Sequence, residues 1–281
     1  MGEAKRRKEA QAAGRPSPPH DAAAEDKPRS SQEFLDQLAP ELRAGFFALL
    51  EGTREITRDE LGDIRASDAG ERLDGLESLA RARHADLEDA VEDAFASGPD
   101  GEATRRAVAC RKGCYFCCHV NVSATIPDAI LVATAIRSGP AHRFAPAVEA
   151  TAARIAGLSA AGRYRQAIPC PMLENGACGI HEDRPTACRA YLASDAGKCE
   201  ASLRSAQAGG TPTPVESLAY PQQISAAINT GVLQGCADAG LQDCAVELTV
   251  AVDLMLRDAT AIDRWLNGER VFEPYSAGGH S

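Results

Sequence analysis

Apolar positions recur at intervals of three and four over most of the chain, the spacing that lays a single stripe along an α-helix. Leu35, Leu38, Leu42, Phe46 and Leu49 form the first stripe, after Ser30 and Glu33 in the capping-box relation that starts a helix. Pro40 must kink or restart that helix, and Gly52 offers a stop before a weaker, strongly charged segment. Asp68 with Glu71 can cap a second helix. Its inner face carries Leu73, Leu76, Ala80, His84, Leu87, Val91 and Phe95 until Ser97, Gly98 and Pro99 end it. Pro127 suits the first turn of a third helix, with Ile130, Leu131 and Ile136 inward and Gly139–Pro140 as its end. A fourth is expected from about Pro146 to Gly162, with Val148, Ala152, Ile155 and Leu158 inward.

The last third reads as helix from about Pro221 to Ala237, a break at 238–240, and helix again to Asn267–Gly268. On that final segment Leu241, Ala245, Leu248, Val252, Met255, Ala259, Ile262 and Leu266 make one seam for a neighbouring helix. Asn175–Gly176 is the strongest hairpin signal and predicts two very short strands, with Leu173 opposite Cys178 and Cys170 opposite His181. The expected fold class is mainly α: a helical bundle with a cysteine-rich metal-binding insert that contains a very short β-hairpin.

The pattern divides the chain into a disordered tail (1–30), an N-terminal helical region (31–100), a cysteine-cluster metal-binding region (105–200), C-terminal helices packed on it (215–268) and a tail (269–281). The first thirty residues are charged, alanine-rich and broken by Pro16, Pro18, Pro19 and Pro28, so they can bury little. Lys5, Arg6, Arg7 and Lys8 read there as a solvated cluster, and Arg6 stands where a myristoylation motif after Gly2 wants Ser or Thr.

Few aromatic residues and abundant alanine favour close-packed helices over stacked sheets. A net charge of −10 gives no bulk attraction for nucleic acid or an anionic membrane, so a partner drawn by electrostatics is expected to be basic, and an unidentified protein partner stays open. No apolar run reaches the ~18 residues of a membrane span, and the N-terminus lacks a secretory apolar segment. A cytoplasmic protein is expected, and in a reducing cytosol ten cysteines point to metal ligation rather than disulfides.

Those cysteines fall in two groups. Cys110, Cys114, Cys117 and Cys118 lie within nine residues, with Gly113 allowing a tight turn; Cys170, Cys178, Cys188 and Cys199 follow about fifty residues later. All eight are candidate ligands for zinc or iron, a 4Fe–4S cluster included. Side chains on successive residues diverge, so Cys117 and Cys118 suit two ions or a polynuclear cluster better than one tetrahedral ion.

Asp183 is a candidate cap and Pro185 a candidate first residue for a helix that places Cys188 in its first turn. The helix end and Arg184 and Arg189 would then favour the thiolate. Arg105, Arg106, Arg111 and Lys112 read as offsetting thiolate charge. His119 and His181 are secondary candidates as nitrogen ligands or supporting groups, His84 reads as a hydrogen-bonded core residue, and Cys236 and Cys244 read as core cysteines outside the metal site.

Four stretches together resemble the zinc- or iron-chelating cysteine-cluster proteins of the YkgJ type. They are Lys112–His119 with its three cysteines, Cys170–Pro171, Asn175–Ile180 and Arg184–Arg189. The resemblance covers about residues 105–200 and implies metal or iron–sulfur binding. Cys110 and Cys114 are separated by three residues where the family pattern has two, and His181 stands at a position where tyrosine is expected. A related cysteine cluster in proteins resembling flagellin lysine N-methylases makes an iron–sulfur-dependent protein-modifying enzyme one alternative. A metal store or carrier is another. No glycine-rich nucleotide loop or nucleophile elbow accompanies the cysteines, so no independent catalytic motif supports an enzyme.

Overall fold

The computed structural model describes residues 40–97, 100–211, 213, 215 and 217–275. The expected capping box at Ser30–Glu33 and both tails lie outside them, the last few residues before 276 excepted. The chain divides into two units between Arg43 and Ala44. Of the first unit only residues 40–43, the opening turn of a helix, are described, and the second holds everything that follows.

The described residues are mainly helical, with two small antiparallel sheets of two strands each. In order, α1 (Pro40–Ala66), α2 (Ala69–Ser97) and α3 (Gly101–Ala107) precede β1 (Ser123–Ala124) and α4 (Ile126–Ser138). Next come α5 (Ala145–Ile155), α6 (Ala160–Arg165), β2 (Leu173–Glu174), β3 (Ala177–Cys178), α7 (Thr186–Ala190) and α8 (Ala196–Gln207). Finally α9 (Ala219–Asp238), β4 (Val246–Glu247), α10 (Leu248–Arg257) and α11 (Ala261–Leu266) complete the chain.

The core forms around α4, which is apolar on nearly every side: Ile126, Ala129, Ile130, Leu131, Val132, Ala133 and Ile136 are all buried. A helix that is apolar all round must be enclosed, and α2, α10 and the 3-10 turn at Pro140–Phe144 pack around it. One continuous apolar cluster links Leu61 of α1 to Phe272 near the C-terminus. Strand β4 pairs with β1 (Ser123↔Glu247), which draws the C-terminal helices onto the chain just after the first cysteine group.

Helix α1 does not stop at Gly52 but continues to Ala66. Its buried stripe beyond that point is Thr53, Thr57, Leu61 and Ile64, two of them threonines that a search for apolar spacing passes over. The threonines suit a close helix crossing: a Cβ added at Gly231 of α9 would lie 2.6 Å from Leu50 O, and one at Gly235 would lie 2.7 Å from Thr57 Cβ.

The helix expected over 146–162 is two helices, because Gly157 takes a left-handed φ of 76° and Ser159 caps a new start, accepting from Gly162 N at 3.1 Å. The C-terminal seam is likewise interrupted. Leu241, Leu248, Val252, Met255, Ile262 and Leu266 are buried as expected, but Val246–Glu247 is extended and Asp258 separates α10 from α11, leaving Ala259 exposed. Gln242 makes the irregular stretch affordable in the interior. Its Oε1 accepts from Val271 N and Phe272 N, its Nε2 donates to Phe272 O, and its carbonyl accepts from Trp265 Nε1.

Gly235→Ala should lower unfolding free energy by about 1–3 kcal/mol, since the helix crossing leaves no room for a methyl group. At exposed Gly62, where nothing lies within 4 Å, the same change should raise it by about 0.5–1 kcal/mol. Urea unfolding of both variants checks the pair of signs.

Candidate metal centre

The first cysteine group begins as an extended stretch laid beside the second. Ala109 N donates to Ala193 O at 2.9 Å, and Ala193 N in turn donates to Cys110 Sγ at 3.3 Å. The chain then turns at Gly113, φ 88°, with Cys114 N on Arg111 O. Cys117 and Cys118 sit in a single 3-10 turn, Phe116–His119. At three residues per turn, neighbouring side chains there point about 120° apart, so these two thiols serve different directions.

The second group is fastened to that turn by its backbone, since Cys170 N donates to Cys118 O at 2.6 Å. Leu173 N then closes a turn onto Cys170 O, and the Asn175–Gly176 hairpin follows with φ of 51° and 73°. Its register pairs Leu173 with Cys178, as expected. The ladder ends there: Gly179 N donates to Met172 O, and Cys170 faces the first cysteine group instead of His181.

The thiols act on one another in two sets. Ionisation of Cys199 is opposed by Cys110, Cys114 and Cys117, and that of Cys114 by Cys110 and Cys117. On the other side Cys118 is opposed by Cys117, Cys170 and Cys178, and Cys188 by Cys170, Cys117 and Cys178. All eight sequence-derived candidates therefore fall into one linked group, with Cys117 common to both halves. Cys199 is buried and the other seven are half-buried.

Burial is the first cause that raises the pKa of Cys114, Cys178 and Cys199, and it pushes Cys170 up to about 11. In the adjacent pair, the hydrogen bond between the thiols lowers Cys117 to about 7 and raises Cys118. Cys188 departs from expectation. It stands in the first turn of α7, but burial, followed by the charges of Cys170, Cys117 and Cys178, outweighs Arg184, and its pKa is raised. Arg189, expected to help, is taken by Glu88 and by the Glu182 and Arg184 carbonyls.

Two of the expected cations, Arg111 and Arg184, act on the thiols, and one that was not expected joins them. Arg105 pairs with Glu92 and Arg106 with Glu102, while Arg111 acts on Cys114 as anticipated. Arg184 favours the thiolates of Cys117, Cys178 and Cys188. Arg163, which no spacing rule singles out, is 1% exposed, acts on Cys170, and is held by Glu247 at 2.6 Å. Tyr191 was also illegible: burial first, then Cys117 and Cys199, push its hydroxyl up to about 12.

His119 is buried beside the Phe116 and Tyr115 backbone and the Arg163 guanidinium, and desolvation lowers its pKa. His181 is exposed among Arg184, Glu182, Arg189 and Lys112. His84 is a buried, hydrogen-bonded residue 2.7 Å from Asp128 Oδ1. Cys236 lies in the core, and Cys244 accepts from Gln242 Nε2 at 3.2 Å.

Among the described residues, no three His, Cys, Asp or Glu side chains are drawn closely enough together to hold one ion. The donor set nevertheless fits a soft or borderline metal. It consists of thiols gathered from two segments, with ionisation opposed by mutual repulsion that a cation would relieve.

Residues 109–208 match the CxxCxxCC family model, described as a "putative zinc- or iron-chelating domain". The match leaves 1–108 and 209–281 outside it. No curated protein and no solved structure matches the chain. No helix among the described residues is long and apolar enough to cross a membrane.

Eight raised thiols, Cys236 and Cys244 of the core among them, against one lowered one set the pH response of the metal-free protein. Above the ordinary cysteine range, ~8.5, the unfolded chain releases protons that the folded chain retains, so stability falls as pH rises. Cys117 acts in the opposite sense, contributing stability above that range. The urea midpoint of metal-free protein should fall from about pH 8.5 upward, and fall less with Cys170 and Cys188 both replaced by serine. A flat profile in the parent protein would contradict the burial assigned to these thiols.

Proposed function

We propose, from the match of residues 109–208 to the CxxCxxCC family model, that this protein binds zinc or iron through its eight clustered thiols and that the metal is structural. The observation that carries the reading is the hydrogen bonding of the two cysteine segments to each other, Cys170 N to Cys118 O and Ala193 N to Cys110 Sγ, which gathers eight thiols into two sets that share Cys117. The division suggests two adjoining four-thiol centres, Cys110, Cys114, Cys117 and Cys199 in one and Cys118, Cys170, Cys178 and Cys188 in the other. The metal would supply the positive charge that lets neighbouring thiolates coexist, and its bonds would draw the donors to bonding distance.

The chain's own residues do the rest. Arg184 and Arg163 favour ionised sulfur on the second side, Arg111 on the first, and the Cys170 N to Cys118 O hydrogen bond fixes the two segments against each other. Four thiolates saturate a tetrahedral ion and leave no position for substrate, which favours a structural role over turnover.

Protein purified without oxygen should carry about two zinc or iron ions per chain, or an iron–sulfur cluster visible as brown colour. Removing the metal should lower the melting temperature and open residues 110–200 to protease. Cys188→Ser and Cys199→Ser should each lose about one ion, while Cys236→Ser loses none. Absence of any transition metal, or cysteine variants with undiminished metal content, would overturn the reading. Loss of all metal in either single variant would replace two centres by one shared centre.

A further inference from the structure

Helix α7 carries Cys188 but has no capping residue of its own. Its N-cap is Pro185, whose side chain can accept nothing. The acceptor comes from elsewhere: Asp128 on α4 receives Thr186 Oγ1 at 2.9 Å and lies 3.4 Å from Thr186 N, both through Oδ2. Its other oxygen, Oδ1, receives His84 Nε2 of α2 at 2.7 Å. Thr186 Oγ1 also lies 2.7 Å from the Asn229 side-chain amide of α9. A hydroxyl has one proton. That proton is shared between two acceptors, Asp128 Oδ2 and Asn229 Oδ1, so the hydroxyl ties α7 to both α4 and α9.

His84, Asp128 and Thr186 are 4%, 2% and 2% exposed, so this chain of hydrogen bonds is almost wholly withdrawn from water. At such burial, removing one partner leaves the others unsatisfied, and each contact constrains geometry more than a surface contact would. The expected cap, Asp183, is turned away to Arg81 at 2.6 Å. Arg81, His84 and Glu88 follow one another at intervals of three and four, so they share one face of α2. Arg81 reaches Asp183, His84 reaches Thr186 through Asp128, and Glu88 reaches Arg189. The whole 183–189 stretch is thus gripped from one helical face that lies outside the matched 109–208 domain.

We propose that His84, Asp128, Thr186 and Asn229 form a positioning relay for Cys188. They set the azimuth of α7 so that its thiol faces Cys170, Cys117 and Cys178. The inference rests on the metal-binding reading above and assigns the region outside the cysteine domain a part in metal affinity. His84 contributes as the group that orients the Asp128 carboxylate, not as a ligand. The two flanking ion pairs are more exposed and contribute little.

Zinc affinity of the full-length chain, read by competition with a chromogenic chelator, separates positioning from mere support of the fold. Thr186→Val keeps the shape and deletes the hydroxyl. It should weaken one of the two zinc equivalents about 10- to 100-fold, the range for lost outer contacts to a ligand-bearing element. Thr186→Ser restores the hydroxyl and should return affinity to within about threefold. His84→Gln should weaken the same equivalent, Arg81→Ala should not, and cobalt substituted for zinc should show an altered thiolate absorption in Thr186→Val alone of the two Thr186 variants.

A Thr186→Val protein that melts earlier without metal yet binds both equivalents normally would overturn the inference and leave the metal reading intact. Failure of the unaltered protein to take up zinc or iron would sink both.

Discussion

Two cysteine-bearing segments some fifty residues apart are held edge to edge by short backbone contacts, Cys170 N to Cys118 O and Ala109 N to Ala193 O. Everything about the candidate centre depends on that seam. It brings the hairpin and α7 against the 3-10 turn carrying Cys117 and Cys118, and so concentrates thiols whose ionisation each neighbour opposes. Without a cation, burial wins and most of these sulfurs keep their protons. A bound metal would reverse the balance, because its charge would offset the desolvation that raised them.

The surrounding helices determine how rigid that seam can be. α4 is enclosed on nearly every side, and from its first turns Asp128 projects toward the cysteine region while the rest of the helix anchors the core. α9 supplies Asn229 on one side and its glycine face to α1 on another. The same core that stabilises the fold therefore reaches to within a few bonds of Cys188. Part of the site's geometry is set by residues with no metal-binding signature.

Legibility in the sequence followed the range of the interaction. The Asn175–Gly176 turn was readable to its register because two residues with left-handed backbone specify it locally. The stripe on α2 was readable because its burial is periodic, and α4 because Pro127 and Gly139–Pro140 bound a short apolar run. The length of α1 was hidden because its inner face uses threonines fitted to glycines nearly two hundred residues later. The ionisation of Cys188 was misread because a helix end and two arginines are visible in sequence, whereas burial and the capture of Arg189 by Glu88 are products of folding. Arg163 and Asp128 carried no spacing cue, since each acquires its role only from partners on other elements.

X-ray absorption at the metal edge of anaerobically purified protein tests the central claim most directly, because it reads the atoms bonded to the metal. The account predicts a first shell of sulfur alone, at about 2.3 Å for zinc. A shell dominated by nitrogen or oxygen would contradict it, since the ion would then be held by something other than the eight gathered thiols.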